Sequence, residues 1–308
     1  MRGVVTLAGD GSRMLPWARL VRKEFLPLFD AASDGHGEPV LKPVTHIVLE
    51  TLVAAGVTDL VLVVRPENLE YVRTYFSIDP AFLRRHSHHP ERVRETREFY
   101  RSLARLRIEF RLQRHPKDRR AKGFGDAVLR AAPSVGDRPF VVHAGDAVLL
   151  ERERGRLVRA MVDLRDRENL DAVLLVRPVA DPRLYGVVEG RRLDPFRGIG
   201  RIAVTRMEEK PAVPRSRWAA TAVYVFGPRM WKGLRREALG RPQELELTDG
   251  IARLLREGGR VEALVLAPRV GRWRSVGSPD RYVRALGETR ALAEKMRPTR
   301  AADRQARG

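Results

Sequence analysis

The feature that most constrains the fold is a short apolar strand that breaks into a glycine turn near the N-terminus. Residues 4–7 (VVTL) are followed at once by 8–13 (AGDGSR). Two glycines one residue apart let backbone amides approach a ligand closely, and consecutive amides form a concave anion site. Arg13 adds a planar guanidinium, and Lys23 adds a compact ammonium ten residues later. The segment predicts a nucleotide-phosphate site at the end of a strand.

Two familiar glycine loops do not match this segment. A dinucleotide-binding fingerprint needs a third glycine at position 14, and a P-loop needs Gly-Lys-Ser/Thr there. The chain has Met14 instead. Taken alone, the glycine pair also fits an ordinary tight turn, so the phosphate site needs support from the rest of the chain.

The order of apolar segments predicts an α/β fold. Apolar residues at helical spacing over 44–55, with Gly56 placed to end the helix, follow the first strand. Continuous apolar runs are typical of buried parallel strands, and strand, helix, strand in that order begins a doubly wound sheet. We expect buried strands at 60–64, 140–142 and 172–176, an alternating strand at 107–113, and further strands at 219–226 and 261–266. We also expect a charged helix at 151–166 and helices over most of 67–105.

Composition is that of a globular protein. A chain of 308 residues can bury a substantial core, and the lack of cysteine excludes disulfides and thiolate metal sites. No apolar run approaches the roughly 20 residues of a membrane span. The N-terminus lacks the pattern of a secretory signal. We therefore expect a soluble, cytoplasmic protein without a membrane partner.

The formal net charge of +20 raises the question of nucleic-acid binding. Only seven of the 59 basic residues are lysine, and the arginines are scattered along the chain rather than collected in a stripe. Aromatic residues make up 6% and do not alternate with basic ones, as they do in proteins that stack single-stranded bases. We expect no nucleic-acid partner, and a field that favours small anionic substrates.

Several motifs together resemble the sugar-1-phosphate nucleotidyltransferases. They are 9–16 (GDGSRMLP), 23–28 (KEFLPL) and 42–43 (KP), and the similarity extends over roughly 4–286. The Lys-Glu-x-Leu-Pro form is most similar to the uridylyltransferases of this family. The resemblance implies a Rossmann-like nucleotidyltransferase fold, in which helices flank a largely parallel mixed sheet and a smaller β-rich lobe binds the sugar. It implies one domain over 1–290, followed by a helix end and basic tail at 291–308.

The resemblance places the nucleotide site in the first half of the chain, about 1–150. It implies catalytic roles for Arg13 and Lys23. At 121–128 (AKGFGDAV) and the preceding strand end it implies uracil contacts for Gln113 and Gly123. An amide suits this role because its donor and acceptor can pair with the uracil edge. Asp126 occupies a position where the family often has histidine. A glycine turn that opens a helix is the alternative interpretation of 123–129. Nucleotide contacts in the first loop are implied for Ala8, Gly9, Gly11 and Ser12.

The resemblance also implies a Mg²⁺ ligand, Asp146, directly after the strand at 140–142. Ligands of open α/β sheets bind beyond the carboxyl ends of the strands, and Mg²⁺ prefers one or two carboxylates plus substrate phosphates. The family has a second aspartate before Val-Gly-Ser, where this chain has Ser275. We then expect metal binding to depend on Asp146, phosphates and water. The histidines at 86–89 lack further ligands at zinc-binding spacing, so we predict a solvated loop there.

The second half of the chain, about 151–290, is implied to bind the sugar. Tyr185 and Gly186 match the family's Tyr-Gly motif. In 207–211 (MEEKP), Glu209 would bind sugar hydroxyls and Lys210 the sugar phosphate. Ala222 stands where the family usually has a glycine, which would narrow the pocket. Within 244–251 (ELELTDGI), which resembles the family's Gln-Leu-Thr-Asp segment, Thr248 is predicted to cap the following helix.

The implied reaction joins UTP and glucose 1-phosphate to give UDP-glucose and pyrophosphate, by Mg²⁺-assisted in-line attack on the α-phosphate. Two alternatives remain open. Another pair of nucleotide and sugar 1-phosphate, such as one with dTTP, would use the same chemistry. A weakened relative that only binds UDP-sugar would explain Ser275, Ala222 and the acidic Asp10 in the phosphate loop. A homo-oligomer through the C-terminal helix is implied, while the insertion at 31–41 has no assigned role.

Overall fold

The computed structural model describes residues 1–33, 38–114, 123–240 and 244–296. Its strands are β1 (Arg2–Leu7), β2 (Pro27–Asp30), β3 (Val40–Pro43), β4 (Asp59–Val64), β5 (Arg107–Leu112), β6 (Phe140–Ala144), β7 (Ala147–Leu150), β8 (Ala172–Pro178), β9 (Gly186–Phe196), β10 (Ile199–Glu209), β11 (Trp218–Phe226), β12 (Val261–Val265) and β13 (Arg272–Ser275). Its helices are α1 (Val44–Ala54), α2 (Leu69–Tyr75), α3 (Pro80–Arg85), α4 (Pro90–Leu103), α5 (Gly123–Arg130), α6 (Ala132–Val135), α7 (Arg156–Glu168), α8 (Arg229–Gly240), α9 (Leu247–Arg256) and α10 (Pro279–Lys295). The predicted motif residues 121–122 and the basic tail from 297 onward lie outside the described residues.

A nine-stranded mixed sheet in the order β5-β4-β1-β6-β11-β8-β12-β10-β9 forms the centre of the molecule. The strands β5, β4, β1 and β6 are parallel to one another, with Val4 of β1 opposite Val61 of β4 and Val142 of β6. On the other side, β11 runs antiparallel to both β6 and β8, and β8 is parallel to β12. The predicted α/β fold with a mixed sheet is confirmed.

Both faces of the sheet are covered, which explains why its inner strands are continuously apolar. Val5, Leu62 and Val225 belong to the apolar core on the face covered by α1 and α7. Val4 and Val142 belong to the core on the opposite face, where α5, α8 and α9 pack. The alternation of side chains along each strand therefore divides one apolar run between two cores.

The C-terminal half of the chain is richer in long antiparallel strands. The strands β9 and β10 span 11 residues each and pair with one another at the end of the sheet. Two residues of β11, Trp218 and Ala219, also pair with β9. Because β11 lies between β6 and β8, the two halves of the chain share one sheet.

Two small sheets, β2–β3 and β7–β13, lie beside the central sheet, and the C-terminal helix joins them. In α10, Tyr282 Oη donates to the carbonyl oxygen of Pro27 at 3.1 Å, and the amide of Phe29 donates to Thr289 Oγ1 at 3.3 Å. The helix begins at Pro279, directly after Ser278, and proline is favoured at this first helical position. Within the described ranges, no helix has the length and apolar character needed to cross a bilayer.

Candidate active site

A cleft of about 560 Å³ opens at the carboxyl ends of the parallel strands. Ala8 follows β1, Arg65 follows β4, Gln113 follows β5, and Asp146 lies two residues beyond β6. This edge is where open α/β sheets bind ligands. The predicted site residues that line the cleft are Ala8, Gly9, Ser12, Arg13, Lys23, Gln113, Gly123, Asp146 and Lys210.

Four predicted site residues lie outside this lining. Gly11 has φ 72° and precedes the helical turn of residues 12–14. Tyr185, Gly186 and Glu209 flank Lys210 instead. The amide of Lys210 donates to the Tyr185 carbonyl oxygen at 3.0 Å, and Lys210 Nζ lies 3.2 Å from Glu209 Oε1. Gly186 is paired with Glu209 across β9 and β10, and a β-carbon at Gly186 would lie 3.2 Å from Glu209 Oε2.

The glycine loop is shaped by the charged groups around it. A β-carbon at Gly9 would lie only 2.9 Å from Lys23 Nζ, so glycine lets this ammonium approach the loop. Arg65 Nε donates to the Ala8 carbonyl oxygen at 2.8 Å. Burial alone would raise the pKa of Asp10, but the hydrogen bond from the Ser12 amide and the nearby Arg65 and Lys23 lower it overall. Asp10 therefore acts within the loop as an acceptor for the Ser12 amide, at 3.1 Å.

Lys23 and Asp146, which both line the cleft, form an ion pair with 2.7 Å between Nζ and Oδ2. Burial opposes the charge on both groups, yet their mutual attraction raises the pKa of Lys23 and lowers that of Asp146. Burial also raises the pKa of the neighbouring Glu24 carboxyl, which is 1% exposed. Arg13 adds a further positive charge close enough to act on both members of the pair.

The donor set at Asp146 fits a magnesium ion that is held largely by substrate. In the described part of the chain, no group of three or more potential metal-binding side chains is found. The Ser275 hydroxyl accepts a hydrogen bond from the Gly277 amide at 3.1 Å and offers no carboxylate. A β-carbon at Gly277 would contact Arg13, Ser275 and Asp146, so these side chains meet at one point. One carboxylate together with substrate phosphates is a common Mg²⁺ environment.

The predicted base-binding end of the cleft is formed by Gln113 and Gly123. The backbone amide of Gln113 donates to the Val64 carbonyl oxygen at 2.8 Å, which extends the β4–β5 pairing into the cleft. Its side-chain Nε2 donates to the Gly123 carbonyl oxygen at 3.1 Å. Gly123 has φ 79°, and a β-carbon there would lie 2.3 Å from Leu245 O. Only glycine fits at this position.

The cleft also contains an acidic group that sequence reasoning missed, next to Gly123, since the Phe124 amide donates to Glu246 Oε2 at 3.3 Å. Glu246 lines the cleft, and its pKa is raised to about 7 by burial and by the repulsion of Glu209. Glu246 also caps α9 through a reciprocal hydrogen-bond pair with Asp249. The prediction that Thr248 caps this helix is wrong, because Thr248 Oγ1 lies within the helix and donates to Glu209 Oε2 at 3.1 Å. The available signal was Glu246 itself, which stands where the related motif has glutamine.

Ala222 lines the cleft with a backbone conformation that favours glycine. Its φ is 58°, and the pairing of β11 with β8 is irregular between Ala220 and Tyr224. The chain therefore keeps the left-handed turn of a glycine position while adding a β-carbon to the wall of the cleft.

Lys42 matches a sequence motif but does not line the cleft. Its Nζ lies 2.9 Å from both Asp30 Oδ2 and Glu50 Oε1, and Arg154 contacts the same two carboxylates. This cluster joins β2, β3 and α1 to the loop before α7. Lys42 therefore belongs to a structural ion network and not to the substrate site.

The fold and the cleft are those of a nucleotidyltransferase. The nucleotidyl transferase family model matches residues 2–291, and the chain belongs to that family. Within it, the chain is 30% identical over 294 residues to the UTP–glucose-1-phosphate uridylyltransferase of Escherichia coli (strain K12), covering 93% of this chain and 89% of that protein. The resemblance to the uridylyltransferases of the family is thereby confirmed.

Solved structures of the same group share the fold. A UTP-bound UGPase from Acinetobacter baumannii superposes with a TM-score of 0.75 at 23% identity, over 93% of this chain and 92% of that one. A UDP-glucose pyrophosphorylase complexed with UDP-glucose gives a TM-score of 0.73 at 21% identity, over 93% and 97% of the two chains.

Proposed function

We propose that the protein transfers a uridylyl group from UTP to glucose 1-phosphate, giving UDP-glucose and pyrophosphate. The observation that carries the proposal is the single cleft that collects the glycine loop, Lys23, Gln113, Asp146 and Lys210. Within one connected space, these groups offer sites for the phosphates and the pyrimidine of a nucleotide and for the phosphate of the sugar. The names of the uridylyltransferase relatives support the choice of substrates.

The reaction needs no nucleophile from the protein. A phosphate oxygen of glucose 1-phosphate forms a bond to the α-phosphorus of UTP, and the bond from that phosphorus to the bridging oxygen breaks. The electron pair leaves with pyrophosphate. Catalysis of this kind consists of positioning and charge stabilisation.

Each cation of the cleft would contribute a different part of the positioning and charge stabilisation, according to where it lies. Arg13 and the amides of the glycine loop would hold the phosphates that leave. Lys23 would offset charge at the α-phosphate, and its raised pKa keeps it protonated at neutral pH. Lys210 would orient the incoming sugar phosphate while Glu209 binds sugar hydroxyls. Tyr185 and Gly186 would support that end of the site through their contacts with these two residues.

Asp146 would hold Mg²⁺ against the triphosphate. When bound, the ion supplies neutralisation of charge on the phosphate oxygens. Asp146 remains ionised in its buried position because Lys23 lowers its pKa, so the carboxylate is ready to accept a cation. Since Ser275 replaces the second carboxylate of the motif, we propose that metal affinity depends on bound nucleotide.

The division of the chain into a nucleotide half, about 1–150, and a sugar half, about 151–290, is part of the proposal. The glycine loop, Gln113 and Asp146 come from the first half, and Lys210 and Glu246 come from the second. Both halves contribute to the same cleft. We therefore propose one domain over 1–290, with the two substrates meeting where the halves join.

Pyrophosphate release tests the proposal directly. Purified protein should release pyrophosphate from UTP and glucose 1-phosphate when Mg²⁺ is present, and a panel of nucleotides and sugar 1-phosphates, with metal added and withheld, identifies the preferred pair. A preference for dTTP or another sugar would change the substrate but keep the chemistry. Lys210→Ala should lower kcat sharply; full activity of this variant would remove Lys210 from the mechanism.

A second candidate is a protein that binds UDP-sugar without turnover. The observation that favours it is Ser275, whose hydroxyl is engaged by the Gly277 amide where the related motif has a carboxylate. Calorimetry that detects UDP-glucose binding, together with no pyrophosphate release from any pair in the panel, would support this candidate over the enzyme.

A further inference from the structure

Both hydrogens of the Gln113 side-chain amide are used within the protein. Nε2 donates to the Gly123 carbonyl oxygen at 3.1 Å and to Asp126 Oδ2 at 2.9 Å. Gln113 and Asp126 are 3% and 5% exposed, so water competes little for these bonds. The amide is therefore held in one position at the wall of the cleft.

Asp126 fixes which end of the amide faces it. A carboxylate accepts hydrogen bonds and a carbonyl oxygen also accepts, so both partners require the amide nitrogen and exclude the amide oxygen. Asp126 is itself anchored, because Arg130 donates to its other oxygen, Oδ1. In the described residues no hydrogen bond reaches Gln113 Oε1. This oxygen is not fully buried either, since it is absent from the buried polar atoms without a partner. Gln113 is left with an acceptor to offer a ligand.

We infer that Asp126 is a positioning residue that makes Gln113 an acceptor-only reader of the nucleotide base. Uracil and thymine present a ring N–H at N3, which can donate to Gln113 Oε1. Cytosine presents a lone pair at N3, so two acceptors would face one another. The cleft therefore selects uridine or thymidine nucleotides against cytidine nucleotides. The inference rests on the proposed function only in that a nucleotide binds with its base at Gln113.

The choice of aspartate at position 126 matters for this selection. The related motif often has histidine there, and an imidazole can donate or accept according to its tautomer. A carboxylate that is held by Arg130 accepts hydrogen bonds, so together with the Gly123 carbonyl it leaves the Gln113 amide no second orientation. A site with a fixed hydrogen-bonding group rejects a ligand that lacks the complementary group, because the buried group is then left unpaired.

Binding of UTP and CTP to the full-length protein tests the inference without requiring turnover. By calorimetry, the wild type should bind UTP at least about tenfold more tightly than CTP. In Asp126→Asn, the carboxamide oxygen remains with Arg130 and its NH₂ group faces Gln113. This NH₂ group favours the rotated Gln113 amide while the Gly123 carbonyl still favours the original one, so the amide is no longer fixed and can present its own NH₂ group to the base. The UTP-to-CTP affinity ratio should fall at least about fivefold. Asp166→Asn, at an exposed aspartate on α7, is the matched control and should leave the ratio unchanged.

A merely structural role for Asp126 would weaken both nucleotides alike and leave the ratio unchanged, which would overturn the inference. If Asp126→Asn does not fold, Asp126→Ser removes the carboxylate with a smaller side chain, and a smaller fall in the ratio is expected because the Gly123 carbonyl still holds Nε2. A wild type that binds CTP as well as UTP, or binds neither, would also overturn it. Preference for UTP without pyrophosphate release would sustain the inference and contradict the proposed enzyme. Pyrophosphate release together with an unchanged UTP-to-CTP ratio in Asp126→Asn would support the proposed enzyme and contradict the inference about Asp126.

Discussion

Lys23 Nζ and Asp146 Oδ2 lie 2.7 Å apart, although 123 positions separate the two residues in the chain. The contact connects the turn after the glycine loop to the end of β6. Burial alone would favour the neutral form of each group, and the attraction between them keeps both charged. Removing either partner takes from the other its strongest opposite charge and leaves only the weaker effect of Glu24 on Lys23 or of Arg13 on Asp146, which proteins tolerate poorly for a group shielded from water.

Lys23→Met should therefore lower activity strongly. In the proposed reaction this ammonium offsets charge at the α-phosphate, and the loss of one such group typically costs about 10²- to 10³-fold in kcat. Pyrophosphate release at saturating substrates measures the effect. Lys232→Met, at an exposed lysine of α8, is the matched control and should retain wild-type kcat. A kcat for Lys23→Met close to that of the control would exclude the assigned role.

Glu246 should make sugar-phosphate binding depend on pH near neutrality. Burial and the repulsion of Glu209 raise its pKa to about 7, while Lys210 acts in the opposite direction. As the pH rises from 6 to 8, Glu246 ionises and adds a negative charge near Lys210, which we propose orients the sugar phosphate. We expect the KM for glucose 1-phosphate to rise over this interval more steeply in the wild type than in Glu246→Gln. Measuring both proteins in the same buffers cancels the titration of the substrate, and parallel profiles would contradict the prediction.

The raised pKa of Glu246 should also make the stability of the protein depend on pH. Because the folded pKa of Glu246 lies above its ordinary value of 4.5, the folded protein binds more protons than the unfolded chain between about pH 4.5 and 7. The contribution of Glu246 is fully present below pH 4.5 and is lost as the pH rises through 7. Denaturant titrations should show a smaller fall in the free energy of unfolding over this window for Glu246→Gln than for the wild type.

Ala222→Gly should leave the protein as stable as the wild type or slightly more stable. At φ 58° a β-carbon costs about 1–2 kcal/mol, whereas glycine loses about 0.5–1 kcal/mol through the entropy of the unfolded chain. Urea denaturation should show a gain of up to about 1.5 kcal/mol in the free energy of unfolding. Ala220→Gly, two residues away in β11 and without a positive φ, should instead destabilise. Equal destabilisation by both substitutions would show that residue 222 carries no backbone strain.

Lys42→Met should reduce stability without affecting catalysis. The substitution leaves Arg154 beside both Asp30 and Glu50, while His46 Nε2 still contacts Glu50 Oε1 at 3.1 Å. Their side chains are 10% and 24% exposed, so we expect a loss of about 2–4 kcal/mol in the free energy of unfolding. Kinetic constants of the folded protein should equal those of Lys295→Met, the surface control. A selective loss of kcat would instead place Lys42 in the reaction.

The sheet could be predicted from the sequence where strands are buried on both faces. The apolar runs at 60–64 and 140–142 became β4 and β6, because a segment covered on both sides must be apolar throughout. The meeting of the glycine loop, Gln113 and Asp146 could also be predicted, since parallel strands end at the same edge. Helix starts were less accurate. The helix predicted from 151 begins at Arg156, because Glu151 instead accepts the amides of Gly155 and Leu157.

The remaining features depend on neighbours that are distant in sequence. Lys42 and Lys23 look alike in their motifs, and only the positions of Asp30 and Glu50 separate a structural lysine from one in the cleft. The raised pKa of Glu246 follows from its burial beside Glu209. Likewise, the orientation of the Gln113 amide is set by Asp126, which sequence patterns show only as an unusual residue in a glycine turn.

The most direct test of the account is the initial rate of pyrophosphate release by the wild type with UTP, glucose 1-phosphate and Mg²⁺, compared with the rate when either substrate is omitted. We predict steady release only when both substrates are present, with one UDP-glucose formed for each pyrophosphate. Absence of release above the blank, or equal release from UTP alone, would contradict the assignment of this cleft to uridylyl transfer.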